Sequence, residues 1–330
     1  IIETGPQKHI NAFLNMSMIL IYIPASIILF YFGASYLLKG ASALALKAGI
    51  SPFVTGLTAV AFGISAPALL TNINLSLTGF GSMAIGNVMG SNLFNICITA
   101  GIAAIIGPVK IRSLIIRYAT IFLAASTLLF MILFSDRLIS TAEGFLLLLV
   151  LVLYIFLIFI FDRKVNKPGE QDEFSENFGS LGYKWYRSAG SIVAGLVMLV
   201  AGALLIAPGA RSLAGILGIG PVTMGLTVVA VCTGIPLLAI ATAAAIRKQH
   251  DIMLGTVIGS SIFNLLAAAG ISALIRPLSA MAISKIDLYF MLGIALLLTP
   301  FVKKSYILKR DEGIFMVGMY LIYMYYLWPK

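Results

Sequence analysis

Charged side chains are scarce in this sequence of 330 residues. Asp, Glu, Lys and Arg together make up 10% of it, whereas hydrophobic residues make up 60% and the mean hydropathy is +1.05. This balance lies far outside the range of soluble globular domains. Apolar runs of roughly 20 residues, long enough to cross a bilayer, recur along the whole chain. The composition therefore excludes a soluble domain and predicts an integral membrane protein.

Metal-ligating and redox-active side chains are also few. The chain has two cysteines, Cys97 and Cys232, and two histidines, His9 and His250. Both cysteines fall within apolar runs and have no neighbours at metal-ligand spacing, which predicts small buried core residues. The other ionisable side chains lie in loops or near predicted helix ends, where such groups usually cap helices or stay solvated. The sequence therefore predicts neither an enzyme nor a bound cofactor.

The apolar runs predict an all-α polytopic fold with ten transmembrane helices. Five spans precede and five follow a polar stretch at 162–188, so the domains are expected at 1–161, 162–188 and 189–330. An odd number of spans in each half makes the two five-helix halves insert with opposite orientation. The predicted spans are 15–38, 52–78, 83–106, 114–134, 142–161, 189–213, 221–246, 253–275, 286–302 and 312–328.

The net charge of +10 follows membrane topology rather than nucleic acid binding. With the N-terminus outside, most basic residues fall on the cytoplasmic side, as the positive-inside rule requires. Both termini are then external, the central linker is cytoplasmic, and lipid is the expected partner, in a plasma or inner membrane. The cytoplasmic set is Lys39, Lys47, Lys110, Arg112, Arg117, Arg163, Lys164, Lys167, Lys184, Arg187, Arg247, Lys248, Lys303, Lys304, Lys309 and Arg310, and the external set is Lys8, Arg137, Arg211, Arg276, Lys285 and Lys330.

The chain contains an internal repeat with an offset of 169 residues. Without a gap, 33–108 aligns with 202–277, and 28 of these 76 positions are identical. Internal repeats that meet near the bilayer midplane are how many secondary transporters build their substrate sites. The polar residues inside the repeat are therefore the candidates for a substrate site.

Those residues fall in the second and third spans of each half. Pro67 and Pro236 lie in mid-membrane and predict that both second-span helices break there, because proline removes a backbone donor. Broken helices would direct half-helix N-termini towards the centre, where they favour anionic groups. The third spans are rich in small residues, and we interpret Gly86, Gly90, Gly255 and Gly259 as helix-packing positions.

The repeats resemble the alpha-repeats of the cation/calcium exchanger superfamily, which includes the sodium/calcium exchangers. The resemblance rests on ten spans in inverted halves and on the stretches GNVMGSNLFN and GTVIGSSIFN. In that family each second helix typically carries G-T-S-L-P-E, whose glutamate binds the ions. Here the matching segments read GISAPA and CTGIPL, so Ala68 and Leu237 stand where the glutamates are expected.

The resemblance implies a set of site residues at the midplane. Ser65, Ser91, Asn95, Thr233, Ser260 and Asn264 match hydroxyl or amide positions of the family pattern, and Ala68 and Leu237 complete the candidate site. None of the twelve acidic residues lies at the predicted midplane. Calcium generally needs carboxylate among its 6 to 8 oxygen ligands, so a metal site here would lack its usual charge.

Three functions stay open at this point. The first is a transporter of the exchanger fold, working by alternating access, with an altered substrate or altered ion coupling. The second is a working sodium/calcium antiporter with neutral oxygen ligands. The third is a non-transporting membrane scaffold or regulator, which a midplane filled by Ile64, Ile235 and Leu237 would favour. A small cation or another small solute is the expected partner of the first two.

Overall fold

The computed structural model describes residues 5–47, 58, 60–110, 114–165, 185–305 and 307–328. The predicted central linker lies mostly outside these ranges, as do both extreme termini. The described residues form ten helices, which confirms the all-α fold with ten helices. They are α1 (Gly5–Lys47), α2 (Ala61–Leu77), α3 (Gly81–Ile106), α4 (Leu114–Leu133), α5 (Thr141–Val165), α6 (Trp185–Leu217), α7 (Pro221–Ile246), α8 (His250–Phe263 with its continuation to Ile275), α9 (Lys285–Ser305) and α10 (Arg310–Leu327).

The sequence repeat is also a repeat of the three-dimensional structure. Adding 169 to the bounds of α2 gives 230–246, where the α-helical part of α7 lies, and adding 169 to those of α3 gives the bounds of α8. The same offset relates the first residue of α5 to that of α10. The fold is therefore two five-helix repeats, α1–α5 and α6–α10.

Four two-residue strands obey the same offset and form two ribbons. Strands β1 (Val109–Lys110) and β4 (Ile307–Leu308) pair antiparallel, and so do β2 (Leu138–Ile139) and β3 (Leu278–Ser279). Helix α4, with 20 residues and a length of about 30 Å, lies between β1 and β2, so the two ribbons lie at opposite ends of the bundle. The repeats are therefore inverted with respect to each other.

The central position of α3 and α8 is evident from their burial. About 83% of the most apolar stretch of each is buried, compared with 28% for α5 and for α6. By length and composition, seven of the described helices can cross a membrane. The outer helices carry exposed large apolar side chains such as Leu149, Val152 and Val197. The chain is therefore an integral, multi-pass membrane protein whose least exposed helices lie at the centre.

The prediction that α2 and α7 break at their prolines is wrong. Pro67 lies inside the continuous α-helix Ala61–Leu77, and Pro236 lies inside Ala230–Ile246. Proline removes only one backbone donor, and the turns on either side keep their own hydrogen bonds in a well-packed environment. Consequently, α2 and α7 have no half-helix N-termini at the midplane, and the dipole argument for an anionic substrate loses its basis.

Irregular backbone occurs elsewhere, as π-helical turns. They cover Phe94–Ala100 in α3, Gly225–Val229 in α7 and Asn264–Ala268 in α8. Such turns are rare and are frequent at functional sites. Two of them begin at or next to Asn95 and Asn264, which places the irregular turns beside candidate site residues.

Close approach of α3 and α7 depends on glycine. A Cβ atom at Gly86 or Gly90 would overlap the backbone of Val222 or Leu226, and one at Gly225 would overlap the backbone of α3 at Met83. The packing interpretation is therefore confirmed for Gly86 and Gly90. Both cysteines are buried and free, as predicted for small core residues.

Candidate functional site

Helices α2, α3, α7 and α8 bring the candidate site residues to the centre of the bundle. The six polar side chains are at most 5% exposed, and Ala68 and Leu237 are equally buried. These eight candidate residues are therefore all shielded from solvent in the structure. The polar members are Ser65, Ser91, Asn95, Thr233, Ser260 and Asn264.

One group of hydroxyls and amides joins α2, α3 and α8. The Oγ atoms of Ser65 and Ser260 are 2.7 Å apart, which is a short hydrogen bond between hydroxyls. The Asn95 amide donates to the Oγ atoms of Ser260 and Ser261, both at 3.5 Å. Three of the predicted residues therefore meet directly, and Ser261 is an addition that the sequence did not single out.

A second group joins α3 and α7. Oδ1 of Asn87 accepts hydrogen bonds from the hydroxyls of Ser91 and Thr233, each at 3.2 Å, and these hydroxyl oxygens are 3.4 Å apart. The three oxygens thus form a nearly equilateral triangle, hereafter the oxygen triangle. Thr233 also donates to the backbone carbonyl of Val229 at 3.0 Å. The sequence analysis missed Asn87, although its spacing of four residues from Ser91 and eight from Asn95 places all three on one helix face.

Asn264 is buried like its repeat mate Asn95, but its Oδ1 atom has no hydrogen-bond partner among the described residues. Both side-chain polar atoms of the buried Asn92 are also unpartnered there. An amide without a partner in a low-dielectric interior is costly, so each such group needs a ligand or water. The buried centre is therefore polar, and some of its polar atoms have no hydrogen-bond partner among the described protein groups.

Leu237 contributes an apolar wall where the sequence resemblance leads one to expect a carboxylate. It packs in one buried cluster with Val60 and Ile64, and Ile240 lies against the cluster. Ile235 is only partly buried and lies outside this cluster. Of the three residues Ile64, Ile235 and Leu237 that were considered as a midplane plug, only Ile64 and Leu237 pack together. The neighbouring hydroxyls and amides keep the rest of the centre polar.

Three described acidic side chains accept hydrogen bonds from the backbone at the starts of helices. Glu143 caps α5 by accepting from the Ser140 backbone at 2.8 Å, and Glu312, 169 residues later, caps α10 in the same way at Lys309. Asp287 is 3% exposed in the first turn of α9, where it accepts from the Ser284 backbone N–H. No cluster of three or more His, Cys, Asp or Glu side chains able to hold a metal occurs among the described residues.

Asp287 is nonetheless a buried carboxylate that the sequence analysis treated only as a helix-end residue. The hydroxyl of Tyr323 in α10 donates to its Oδ1 atom at 2.9 Å, and the Tyr323 ring stacks on Phe290 with centroids 4.5 Å apart. Ser284 at the helix start, three residues before Asp287, is the signal of this cap in the sequence. The contact with α10 had no such local signal.

Comparison with known proteins gives concordant results. The model of the family described as "Sodium/calcium exchanger protein" matches residues 18–160 and 187–328. The putative antiporter CaxA of Alkalimonas amylolytica is 31% identical over 317 residues, which cover 94% of this chain and 98% of CaxA. The sodium/calcium exchanger MaX1 of Methanosarcina acetivorans is 30% identical, with 88% and 93% covered.

Solved structures agree with these sequence matches. A structure of the sodium-calcium exchanger NCX_Mj soaked with Na⁺ and Sr²⁺ superposes with a TM-score of 0.68 at 26% identity. The superposition covers 93% of this chain and 98% of that one. Similarity therefore extends over the whole described architecture rather than over the repeats alone.

Proposed function

The chain belongs to the sodium/calcium exchanger protein family, and from that premise we propose that it is a membrane transporter whose midplane site carries cargo of low charge by alternating access. The observation that carries the proposal is the chemistry of the closed centre. Serine, threonine and asparagine side chains meet there, and Ala68 and Leu237 occupy the two positions at which the sequence resemblance leads one to expect glutamate.

The absence of carboxylates at these positions argues against calcium as the cargo. A buried divalent ion needs negative charge to offset the loss of its hydration shell, and neutral dipoles do not supply it. The apolar packing of Leu237 on Ile64 removes further ligand positions from the centre. A cargo of low charge avoids this desolvation cost, because neutral hydroxyls and amides satisfy it with hydrogen bonds alone.

Sodium is a second candidate, as a coupling ion, and the oxygen triangle supports it. Its three neutral oxygens lie within 3.4 Å of one another, close enough for one small cation to contact all three. A monovalent ion needs less compensating charge than calcium, so neutral oxygens are better suited to it. In this arrangement Asn87, Ser91 and Thr233 would bind the ion, and the group around Ser65 and Ser260 would contact the cargo.

Placement in the membrane forms part of the proposal. The cytoplasmic excess of Lys and Arg favours external termini and a cytoplasmic linker at 162–188, with one five-helix unit at 1–161 and the other at 189–330. The β2·β3 ribbon and the α2–α3 turn would then face outside, because the ribbon packs beside that turn at Gly81. The β1·β4 ribbon would face the cytoplasm.

Thermal unfolding in detergent tests the exclusion of calcium. Titration with CaCl₂, up to millimolar concentration, is expected to leave the melting temperature unchanged relative to a matched MgCl₂ series. Sodium chloride, compared with choline chloride at equal ionic strength, is expected to raise it if the oxygen triangle binds sodium. Stabilisation by micromolar calcium would contradict the proposal and restore sodium/calcium exchange as the function.

Transport by the reconstituted protein tests the position of the site. We expect Asn95→Ala combined with Asn264→Ala to abolish uptake across a panel of cations and neutral solutes, with folding unchanged in size-exclusion chromatography. Thr78→Ala is the matched control, because Thr78 is exposed at the end of α2. Normal uptake by the double variant would place the site elsewhere, and absence of uptake by every variant and the wild type would favour a scaffold.

A further inference from the structure

A small apolar cluster lies between α2 and α7, apart from the main hydrophobic core of the described residues. Val60, Ile64 and Leu237 pack together and are at most 1% exposed, and the partly buried Ile240 lies against them. Val60 directly precedes α2, and Ile64 is next to Ser65 in the sequence. Leu237 and Ile240 belong to α7. The α2–α7 cluster, defined as Val60, Ile64, Leu237 and Ile240, therefore joins two site helices next to their polar groups.

The cluster extends from the candidate site towards one end of the bundle. In α2, Val60 and Ile64 precede Ala68 by eight and four residues, about 12 and 6 Å along the helix axis. Because α2 runs towards the α2–α3 turn beside the β2·β3 ribbon, both residues lie on the β1·β4 side of Ala68. Ile240 follows Leu237 by three residues, towards the α7–α8 turn. That turn is also at the β1·β4 end, because α8 runs from it to β3 at the other end.

The repeat mates of the cluster lie towards the other end, and most of them are smaller or polar. They are Val229, Thr233, Ala68 and Thr71, all at most 4% exposed. Because the repeats are inverted, these positions extend from the candidate site towards the β2·β3 end. Val229 alone keeps the aliphatic side chain of its mate, and the hydroxyl of Thr233 donates to Oδ1 of Asn87 at 3.2 Å. The two sides of the site therefore differ in chemistry, with large aliphatic side chains only towards the β1·β4 end.

We propose that the α2–α7 cluster is an apolar gate, which keeps the site closed towards the β1·β4 end, so that the protein without cargo opens more readily towards the β2·β3 end. The inference rests on the proposed function, because it assumes alternating access to the midplane site. Opening towards the β1·β4 end would separate Ile64 from Leu237 and expose both to water, and a constriction lined by such side chains excludes ions by dewetting. Opening towards the β2·β3 end would expose Thr233, Ala68 and Thr71 instead, which costs less because less apolar surface meets water.

Leu237 has two effects in this arrangement. It stands where the resemblance leads one to expect a glutamate, so the site lacks a charge there, and its packing on Ile64 supplies the gate. Its mate Ala68 also replaces an expected glutamate but belongs to neither apolar cluster. Cargo is therefore expected to enter from the β2·β3 end, and the free energy of its binding must offset the separation of the gate before the other end opens.

Cysteine labelling at two positions related by the repeat tests the preferred side of opening. Ser76→Cys, towards the β2·β3 end, and Ala245→Cys, towards the β1·β4 end, are made in a background with Cys97→Ala and Cys232→Ala. Both positions are at most 5% exposed in the closed structure, so reaction with a membrane-impermeant thiosulfonate reports opening of that end.

The labelling rates are measured in sealed vesicles of each orientation, with choline chloride as the only salt. Each rate is divided by that of the same cysteine in the unfolded protein, which corrects for differences in intrinsic reactivity. Ser76→Cys is expected to react at least about tenfold faster than Ala245→Cys. Equal rates, including no reaction at either end, or faster reaction of Ala245→Cys would overturn the proposed preference.

Two variants of the cluster test the gate itself. Leu237→Ala removes the aliphatic side chain, and Ile64→Thr introduces the residue of the repeat mate. Each is expected to raise the labelling rate of Ala245→Cys at least about tenfold, because the apolar contact that opposes opening is weakened, and to leave that of Ser76→Cys unchanged or lower. Leu237→Met conserves the volume of the side chain and is the control, which should change neither rate.

The melting temperature of each variant shows whether it is folded, and Ile64→Thr decides the result if Leu237→Ala is not. Equal acceleration of both reporters by a folded variant, or acceleration of neither, would overturn the gate. The labelling does not depend on transport or on the identity of the cargo. Calcium stabilisation of the wild type would therefore defeat the proposed function, whereas the labelling rates would separately decide the gate.

Discussion

Each repeat has one hydroxyl shortly before the proline of its second helix, but the two hydroxyls stand at neighbouring positions of the repeat. Ser65 in α2 aligns with Gly234, whereas Thr233 in α7 aligns with Ile64. Ser65 reaches Ser260, and Thr233 reaches Ser91, so each hydroxyl still bonds to the third helix of the opposite repeat. Gly234 instead leaves room for the Phe94 ring, which a Cβ atom there would meet. The site therefore keeps its inverted connectivity without exact symmetry.

Restoring the two carboxylates provides a test at the residue scale. We expect Ala68→Glu with Leu237→Glu to lower the melting temperature without ions, because two buried carboxylates lack partners, and to give calcium-dependent stabilisation. At a calcium concentration about 100 times the Kd, binding would add about 2.7 kcal/mol to the free energy of unfolding. The measurement is thermal unfolding with and without calcium.

The matched control for this variant is Ala68→Gln with Leu237→Gln, which has the same shape without the charge. It should show no calcium effect. If the double glutamate variant folds and also fails to respond to calcium, the geometry of α2 and α7 has diverged from that of exchangers that bind calcium.

Two tyrosines related by the repeat allow a second test at this scale. Tyr323 donates to the buried Asp287, whereas the hydroxyl of its mate Tyr154 has no partner among the described residues. Tyr323→Phe should lower the free energy of unfolding by about 1–3 kcal/mol, because a buried carboxylate loses a donor. Tyr154→Phe should change it by less than about 0.5 kcal/mol. Equal effects in denaturant titrations would show that the Asp287 contact contributes nothing.

At the scale of helices, the contact between α3 and α7 is set by glycine. Gly90→Val should lower the free energy of unfolding by about 1–3 kcal/mol, since the new side chain would overlap the backbone of Leu226 and force the helices apart. The measurement is the melting temperature in detergent. Gly318→Ala in α10 is the control, since a Cβ atom there meets nothing within 4 Å, and it should leave stability unchanged or raise it slightly.

Helix number and position were the properties best predicted from the sequence. The third span was predicted at 83–106, and the helix covers Gly81–Ile106. The two agree because the length of an apolar run directly reflects the bilayer that it must cross. The proline breaks were predicted wrongly, since a local rule cannot include the packing that carries a helix through Pro67. The π-turns likewise had no sequence signal that we used.

The candidate site was predicted in part for a similar reason. Ser65, Ser91, Asn95, Thr233 and Ser260 lie in the two hydrogen-bonded groups of the structure. The repeat indicated Ser91, Asn95 and Ser260, because both copies keep polar residues there, and the family resemblance indicated Ser65 and Thr233. Asn72 was missed because it aligns with Ala241, so a search for symmetry passes over it. Asn87, which donates to Asn72, was missed although its repeat mate Thr256 is also polar. Residues that make the halves different are found only when the contacts are known.

At the scale of the whole molecule, the two ribbons restrict the topology. Each ribbon joins loops from different repeats, β1 with β4 and β2 with β3, so these loops must share a side of the membrane. An odd number of crossings per repeat is the arrangement that satisfies both pairings with the ribbons at opposite ends. The absolute orientation is then a single choice between two, and the distribution of Lys and Arg predicts external termini.

That choice can be tested with reporters at two turns related by the repeat. The turn around Gly79, between α2 and α3, is expected outside, and the turn around Lys248, between α7 and α8, is expected in the cytoplasm, because Arg247 and Lys248 lie there. A phosphatase fused after the first turn should be active and one fused after the second inactive, with a fluorescent protein giving the reverse. Equal activities would contradict the inverted repeat, and exchanged activities would reverse the orientation.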